Sequence, residues 1–207
     1  MDMKIVYRTD ELENAIDYLE QVAHFYLDSQ FQHRFKWLMI TLHGALYGFG
    51  VLAIKGTNAA ETIYKDFSMK KGKLQELRKT VAELHDETDE GYINIYVQAE
   101  HGQLLAIYDI LEKCQTESYM NRYYNSKKLI LSEEQKVAIN QMIIYRNQFA
   151  HFKPALYAIM GDYIIDVVYP VLEVIKFLAL DSHNVMYYEK EQEDRVQQAL
   201  EKVLASR

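Results

Sequence analysis

The sequence predicts an all-α fold, and three features carry that reading. Nearly half of the 207 residues are apolar and only two are proline, so the chain is neither disordered nor dominated by loops. Apolar residues recur at three- and four-residue spacings through most of its length, which is the helical period. No alternating run of strand length competes, since Val167-Val168-Tyr169 is too short to count. The length suits one domain with a full hydrophobic core and is marginal for two.

The elements follow in order. Thr9 or Asp10 is placed to cap a first helix reaching about residue 30, with Leu12, Ala15, Ile16, Leu19, Val22 and Ala23 on one face. A second helix is expected over 33–55, stopping near Gly56-Thr57-Asn58. Its Gly44 and Gly48 are one turn apart, and close packing by a neighbouring helix would offset their poor helix propensity, up to ~1 kcal/mol each. The run Leu38–Ile54 is apolar for about 17 residues, the lower limit for a membrane span. It also holds Thr41, His43 and three glycines, so a buried core helix is the expectation.

Residues 57–72 read as a linker, and Leu74, Leu77, Val81 and Leu84 mark a charged helix after it. Residues 57–91 are thus expected to form a charged insertion. A further helix is expected from about Tyr92 to Thr116, then a polar loop near 119–130, then a helix over about 133–152. An apolar helix at 161–180 should be bent or interrupted by Pro170. The tail at 187–207 is amphipathic and strongly charged, and is expected to be peripheral.

The net charge of −7 argues against a whole surface built to neutralise phosphates, although not against a local cationic site. Residues 64–80 carry six Lys or Arg against two acids, and 121–128 add Arg122, Lys127 and Lys128 with none. The acids of 83–90 suit a solvated helix end. A single cysteine, Cys114, excludes an internal disulfide and fits a reducing compartment. The first 13 residues hold no apolar signal core, which makes the cytoplasm the expected location. There is no His-Glu-x-x-His or ferritin-like Glu-x-x-His, no Walker loop and no nucleophile elbow, so neither metal nor cofactor is expected. Gly48-Phe49-Gly50 lies inside a helical pattern without a preceding strand, so it is no dinucleotide loop.

The segment richest in chemistry is 133–152. Ser132 followed by Gln135 forms a capping box, and Pro154 disfavours helix at Lys153. Between them Ala138, Met142, Tyr145, Phe149 and Phe152 form a core stripe. A second line, Asn140, Ile144, Asn147 and His151, runs along the other side with Ile143 beside it. A surface helix needs only one apolar face, so this mixed seam suggests a second buried contact, such as a symmetric dimer interface.

Arg146-Asn147-Gln148-Phe149-Ala150-His151 resembles the Arg-polar-x-x-x-His signature of HEPN domains, and the likeness continues through Phe152 and Pro154. Residues 35–55 also resemble an early helix of one bacterial branch, whereas 57–130 are only loosely family-like. The resemblance implies a compact helical bundle and a composite site at a homodimer interface. It also implies RNA as substrate and cleavage without metal, with Arg146, Asn147 and His151 as the catalytic set. Histidine can serve as base or acid near neutral pH, and arginine presents a planar fork to phosphate. The negative end of the helix dipole favours a cation at residue 151, which suits a phosphate contact or an acid role. Arg146 and His151 point about 140° apart on an ideal helix, so one helix alone does not easily aim both at one phosphate, whereas a dimer that brings two such helices together could.

Lys153, Arg122, Lys127 and Lys128 are candidate RNA contacts, with Tyr119, Tyr123 and Tyr124 as possible stacking partners. His43 is a second-tier candidate, since a histidine on such a helix is more often a satisfied core residue. Some HEPN toxins carry a tyrosine two residues after the motif histidine, which a partner nucleotidyltransferase modifies; Lys153 stands there. An antitoxin or nucleotidyltransferase is therefore the partner class implied, with control at that position in doubt. Plainer readings stay open: His151 bonding a carbonyl, Arg146 in an ion pair, Asn147 setting helix register.

Overall fold

A computed structural model describes residues 9–56, 62–65, 71–151 and 162–205. The described residues form an all-α bundle of nine α-helices. Helix α1 (Glu11–Leu27) starts where the Asp10 carboxylate accepts the Glu13 amide at 2.8 Å. The six apolar residues of its expected face are all buried. It stops at the Asp28 turn, where the Arg34 guanidinium folds back to donate to the Phe25 and Tyr26 carbonyls. Those are orphan acceptors of the helix end, and a cation there also suits the dipole.

Helix α2 (Arg34–Lys55) is the centre of the molecule. It packs on α1, α5 (Ile107–Cys114), α7 (Glu133–Ala150) and α8 (Tyr169–Lys176). By length and composition it is the one helix among the described residues able to cross a membrane, yet eleven of its residues are buried against these neighbours. Each fully covered Leu, Ile or Phe contributes about 1.5–3 kcal/mol, so this apolar run is used inside the bundle. The two glycines work as expected: Gly44 lies against the Tyr18 ring and Gly48 against Ala15 of α1. Lys55 then pairs with Glu11 and joins the far ends of the two helices.

The middle of the chain departs from the expected single helix at 92–116. Helices α3 (Lys71–His85) and α4 (Glu90–His101) form a charged hairpin, followed by an extended stretch and then α5. That stretch pairs antiparallel with 62–65: Leu105 donates to the Ile63 carbonyl at 2.9 Å and Lys65 to the Gln103 carbonyl at 2.8 Å. Gly102 lies at the break, and the long-range ladder supplies bonds that a continued helix would have made locally. The linker reading is corrected to this extent: Ile63 is buried in the core rather than solvated. The insertion extends to His101, with Val81 and Val97 buried apart from the main core and His85 stacked on Tyr96 at 4.1 Å.

After the short α6 (Glu117–Met120) and α7, the chain runs through α8, whose ends widen into π turns at Ile164–Val168 and Phe177–Asp181. Pro170 has no amide proton and its ring would meet the carbonyl four residues back. The preceding turn widens accordingly, with Tyr169 donating five residues back to Ile164. Helix α9 (Lys190–Leu204) is not peripheral. It buries Val196, Ala199, Leu200 and Val203 in the main core and lies along α1. Arg195 grips Glu20 through two bonds of 2.8–2.9 Å and Glu13 through one of 2.8 Å. Its charged face is thus a clamp on α1.

Candidate functional site

The site is built on α7 and the face of α2 beside it. Both ends of α7 follow from local chemistry. Ser132 Oγ accepts the Gln135 amide at 3.1 Å and Gln135 Oε1 accepts the Ser132 amide at 3.0 Å. At the other end His151 is the C-cap residue, with φ −103° and its amide bonded to the Asn147 carbonyl at 3.2 Å. The core stripe is buried through Ala138 and Met142, and Phe35 of α2 packs edge-on against Tyr145 and Phe149. Phe152, Lys153 and Pro154 lie outside the described residues.

No described helix covers the second seam. Val137, Asn140, Ile144 and His151 are exposed and Asn147 is half-buried, at successive spacings of three and four. Ile143 alone turns into the core, and Asn140 accepts a 2.8 Å bond from the Tyr108 hydroxyl of α5.

Arg146 is half-buried and donates from Nη1 to Asn147 Oδ1 at 3.1 Å, so the asparagine orients the guanidinium. Across from it on α2 stands His43. Burial, and then the positive charge of Arg146, push its ring down from 6.5 to about 4. At neutral pH it is an uncharged acceptor and donor. Its ring lies parallel to that of Tyr47, whose hydroxyl is pinned to the Leu105 carbonyl at 2.9 Å. The structure thus brings His43, Arg146 and Asn147 together. It leaves the His151 ring in solvent, without a hydrogen bond or ion pair to any described residue. Lys36 lies two turns before His43 on the same face of α2.

The remaining candidate cations are elsewhere. Lys127 and Lys128 precede the first turn of α7 and His151 follows its last. The 18-residue helix sets them apart by roughly 25 Å. Lys127 is exposed, and Lys128 pairs with Glu117 at 2.9 Å, which holds that carboxyl below its usual range. Arg122 corrects the expectation of a surface contact. Its guanidinium turns inward to the end of α2, where Nη2 donates to the Ala53 carbonyl and reaches Asn184 O at 3.4 Å. Orphan carbonyls and the negative helix end draw the cation there, and desolvation lowers its pKa. The positive φ of Gly56 and its missing Cβ make room for Nη1. Tyr124 is fully exposed, Tyr123 reaches Met186, and Tyr119 lies under the Lys113 ammonium. Among the described residues no three His, Cys, Asp or Glu side chains converge as a metal site would need.

No known protein family, curated protein or solved structure matches this chain.

Proposed function

We propose that this protein is a metal-independent endoribonuclease of the HEPN type, cytoplasmic and active as a homodimer, in a toxin–antitoxin, phage-defence or stress setting. One observation carries the reading: the α7 seam that bears Asn147 and His151 is open in a single chain, although it holds Val137 and Ile144 at helical spacing. A second copy of α7 laid on that seam would cover its apolar residues, and Arg146 reaches the edge of the seam through its bond to Asn147.

A neutral histidine takes the proton of the 2′-hydroxyl, and the freed oxygen attacks phosphorus. The bond to the 5′-oxygen breaks and a protonated histidine returns a proton to that oxygen, leaving a 2′,3′-cyclic phosphate and a 5′-hydroxyl. Arg146, held by Asn147, faces the charge that builds on the phosphate oxygens. His43, uncharged beside it, serves as a hydrogen-bond partner for the attacking hydroxyl.

The test is cleavage of single-stranded RNA in EDTA. The wild type should cut, and His151→Ala and Arg146→Ala should each lose about 10²-fold or more in rate. Ile144→Glu should yield monomers with the same loss. RNA left intact by the wild type, or cut equally by His151→Ala, would sink the proposal.

A second reading is a non-catalytic HEPN module that binds RNA, a nucleotide or a protein partner. The net charge of −7 and the distance of Lys127 and Lys128 from Arg146 favour it. Overexpression separates the two: the nuclease arrests growth and Arg146→Ala relieves the arrest, whereas the binding module does neither.

A further inference from the structure

The turn between α1 and α2 carries a row of aromatic rings that the nuclease chemistry does not use. Phe25 stacks on Phe31 at 5.5 Å with an interplanar angle of 27°, and on Trp37 at 6.2 Å and 20°. Phe31 is 37% exposed and Trp37 39%. Phe35, two residues before Trp37, is packed instead among Tyr145, Phe149 and Tyr163. The rings of the row are therefore not the edge of that core cluster, and part of their surface stays open.

The backbone beneath the row is held firmly. Arg34 ties the start of α2 to the Phe25 and Tyr26 carbonyls, so the rings are pre-positioned. A cation stands beside the row. Lys36 Nζ lies 4.9 Å from the Trp37 ring centre, and exposed His24 and His33 contact Phe25 and Phe31. The sole acid between His24 and Trp37 is Asp28, whose carboxylate accepts the Gln30 amide at 3.2 Å. Lys36 also shares its face of α2 with His43, about 10 Å further along the axis.

We infer that the Phe31, Phe25 and Trp37 row, with Lys36, is a base-stacking subsite for single-stranded RNA that leads along α2 to His43 and Arg146. This rests on the ribonuclease reading for its substrate. Partly exposed aromatic rings beside a cation are the recurring means of holding unpaired bases, because every base offers a π-face and every linkage a negative charge. The row would position the strand, and the cleavage chemistry stays with α7.

Trp37 is the sole tryptophan, so its fluorescence reports the subsite directly. The uncleaving His151→Ala protein is titrated with an octameric oligouridylate, and with inorganic polyphosphate as a charge control. The RNA should quench Trp37 saturably and polyphosphate should not. Adding Phe31→Ala should weaken RNA binding roughly 5- to 100-fold. Phe31→Leu, which keeps an apolar cover without a ring, should weaken it too. No quenching, equal quenching by polyphosphate, or unchanged affinity in Phe31→Leu overturns the inference. So does a change in self-association without a change in RNA affinity, which would make the row a contact between copies. Quenching by RNA in a protein whose wild type cuts nothing leaves the subsite standing and removes the nuclease. Cleavage with unchanged KM in Phe31→Leu does the reverse.

Discussion

Gly48→Ala sets helix propensity directly against packing. On propensity alone the alanine stabilises α2 by up to about 1 kcal/mol. In the structure its Cβ falls 2.8 Å from Ala15 Cβ and 3.3 Å from Ala15 Cα. Neither atom belongs to a side chain that can rotate away, so α1 and α2 must separate. Among the described helices their seam is the most extensive, and it includes Leu12, Ile16 and Leu19 at 2% exposure or less. Overpacking of this kind costs about 1–3 kcal/mol, which, set against a full propensity gain, leaves a net loss of up to about 2 kcal/mol. Urea unfolding followed by far-UV circular dichroism measures it. The diagnostic control is Ala15→Gly, which removes the facing methyl. Each single variant should be destabilised, while the double variant should be more stable than the sum of the two losses predicts, by about 1 kcal/mol or more. A Gly48→Ala protein more stable than the wild type, or effects that simply add in the double variant, would refute the close approach.

Two further outcomes follow from charge. His43 is held down to about 4 by burial and by Arg146, so its stabilising contribution is fully present above its unfolded value near 6.5. It fades as pH falls from there through 4, by at most about 3 kcal/mol and by less where water reaches the ring. His43→Gln should flatten that part of the urea-midpoint profile between pH 7 and 4.5; parallel profiles would show that the ring is not the sensor. Arg195→Met should cost about 1–2 kcal/mol, because it breaks the clamp on Glu13 and Glu20 while keeping the apolar stem. Bonds from Gln192 and then Arg195 hold the Glu13 carboxyl below its usual range, so that contribution exists above its ordinary pKa and is lost as pH falls through the folded one. The deficit of Arg195→Met should therefore shrink in acid, and thermal melts at pH 7 and pH 3.5 would reveal a deficit that does not.

Several elements were legible because their causes lie within a few residues. The Ser132–Gln135 box, the Asp10 cap, the buried face of α1 and the interruption at Pro170 are all local, and each stands where its residues place it. The two-glycine approach was legible in kind, since only close packing offsets glycine in a helix, although its partners Tyr18 and Ala15 were not. Misreadings arose where a distant segment supplied the decisive partner. The helix expected over 92–116 broke because Ile63 and Lys65, some forty residues earlier, pair with its backbone. Arg122 seemed a surface cation because the Ala53 carbonyl that binds it lies 69 residues away. The tail was expected to be peripheral because its charge is evident in sequence, whereas the Glu13 and Glu20 that match Arg195 lie near the other end of the chain.

The same division applies to α7. The sequence by itself determined that 133–150 is a helix, where it begins, and that Arg146, Asn147 and His151 sit near its end. It also determined that two different faces run along it, since side-chain type and helical period are properties of the chain alone. Which face is covered was decided only by tertiary structure. Burial depends on what lies opposite, and the bundle places α2 and α8 on the Ala138–Met142 side while leaving Val137, Ile144 and His151 in solvent. Among the described residues the second contact expected for that seam is not made, which is why the proposed site calls for a second copy of the helix.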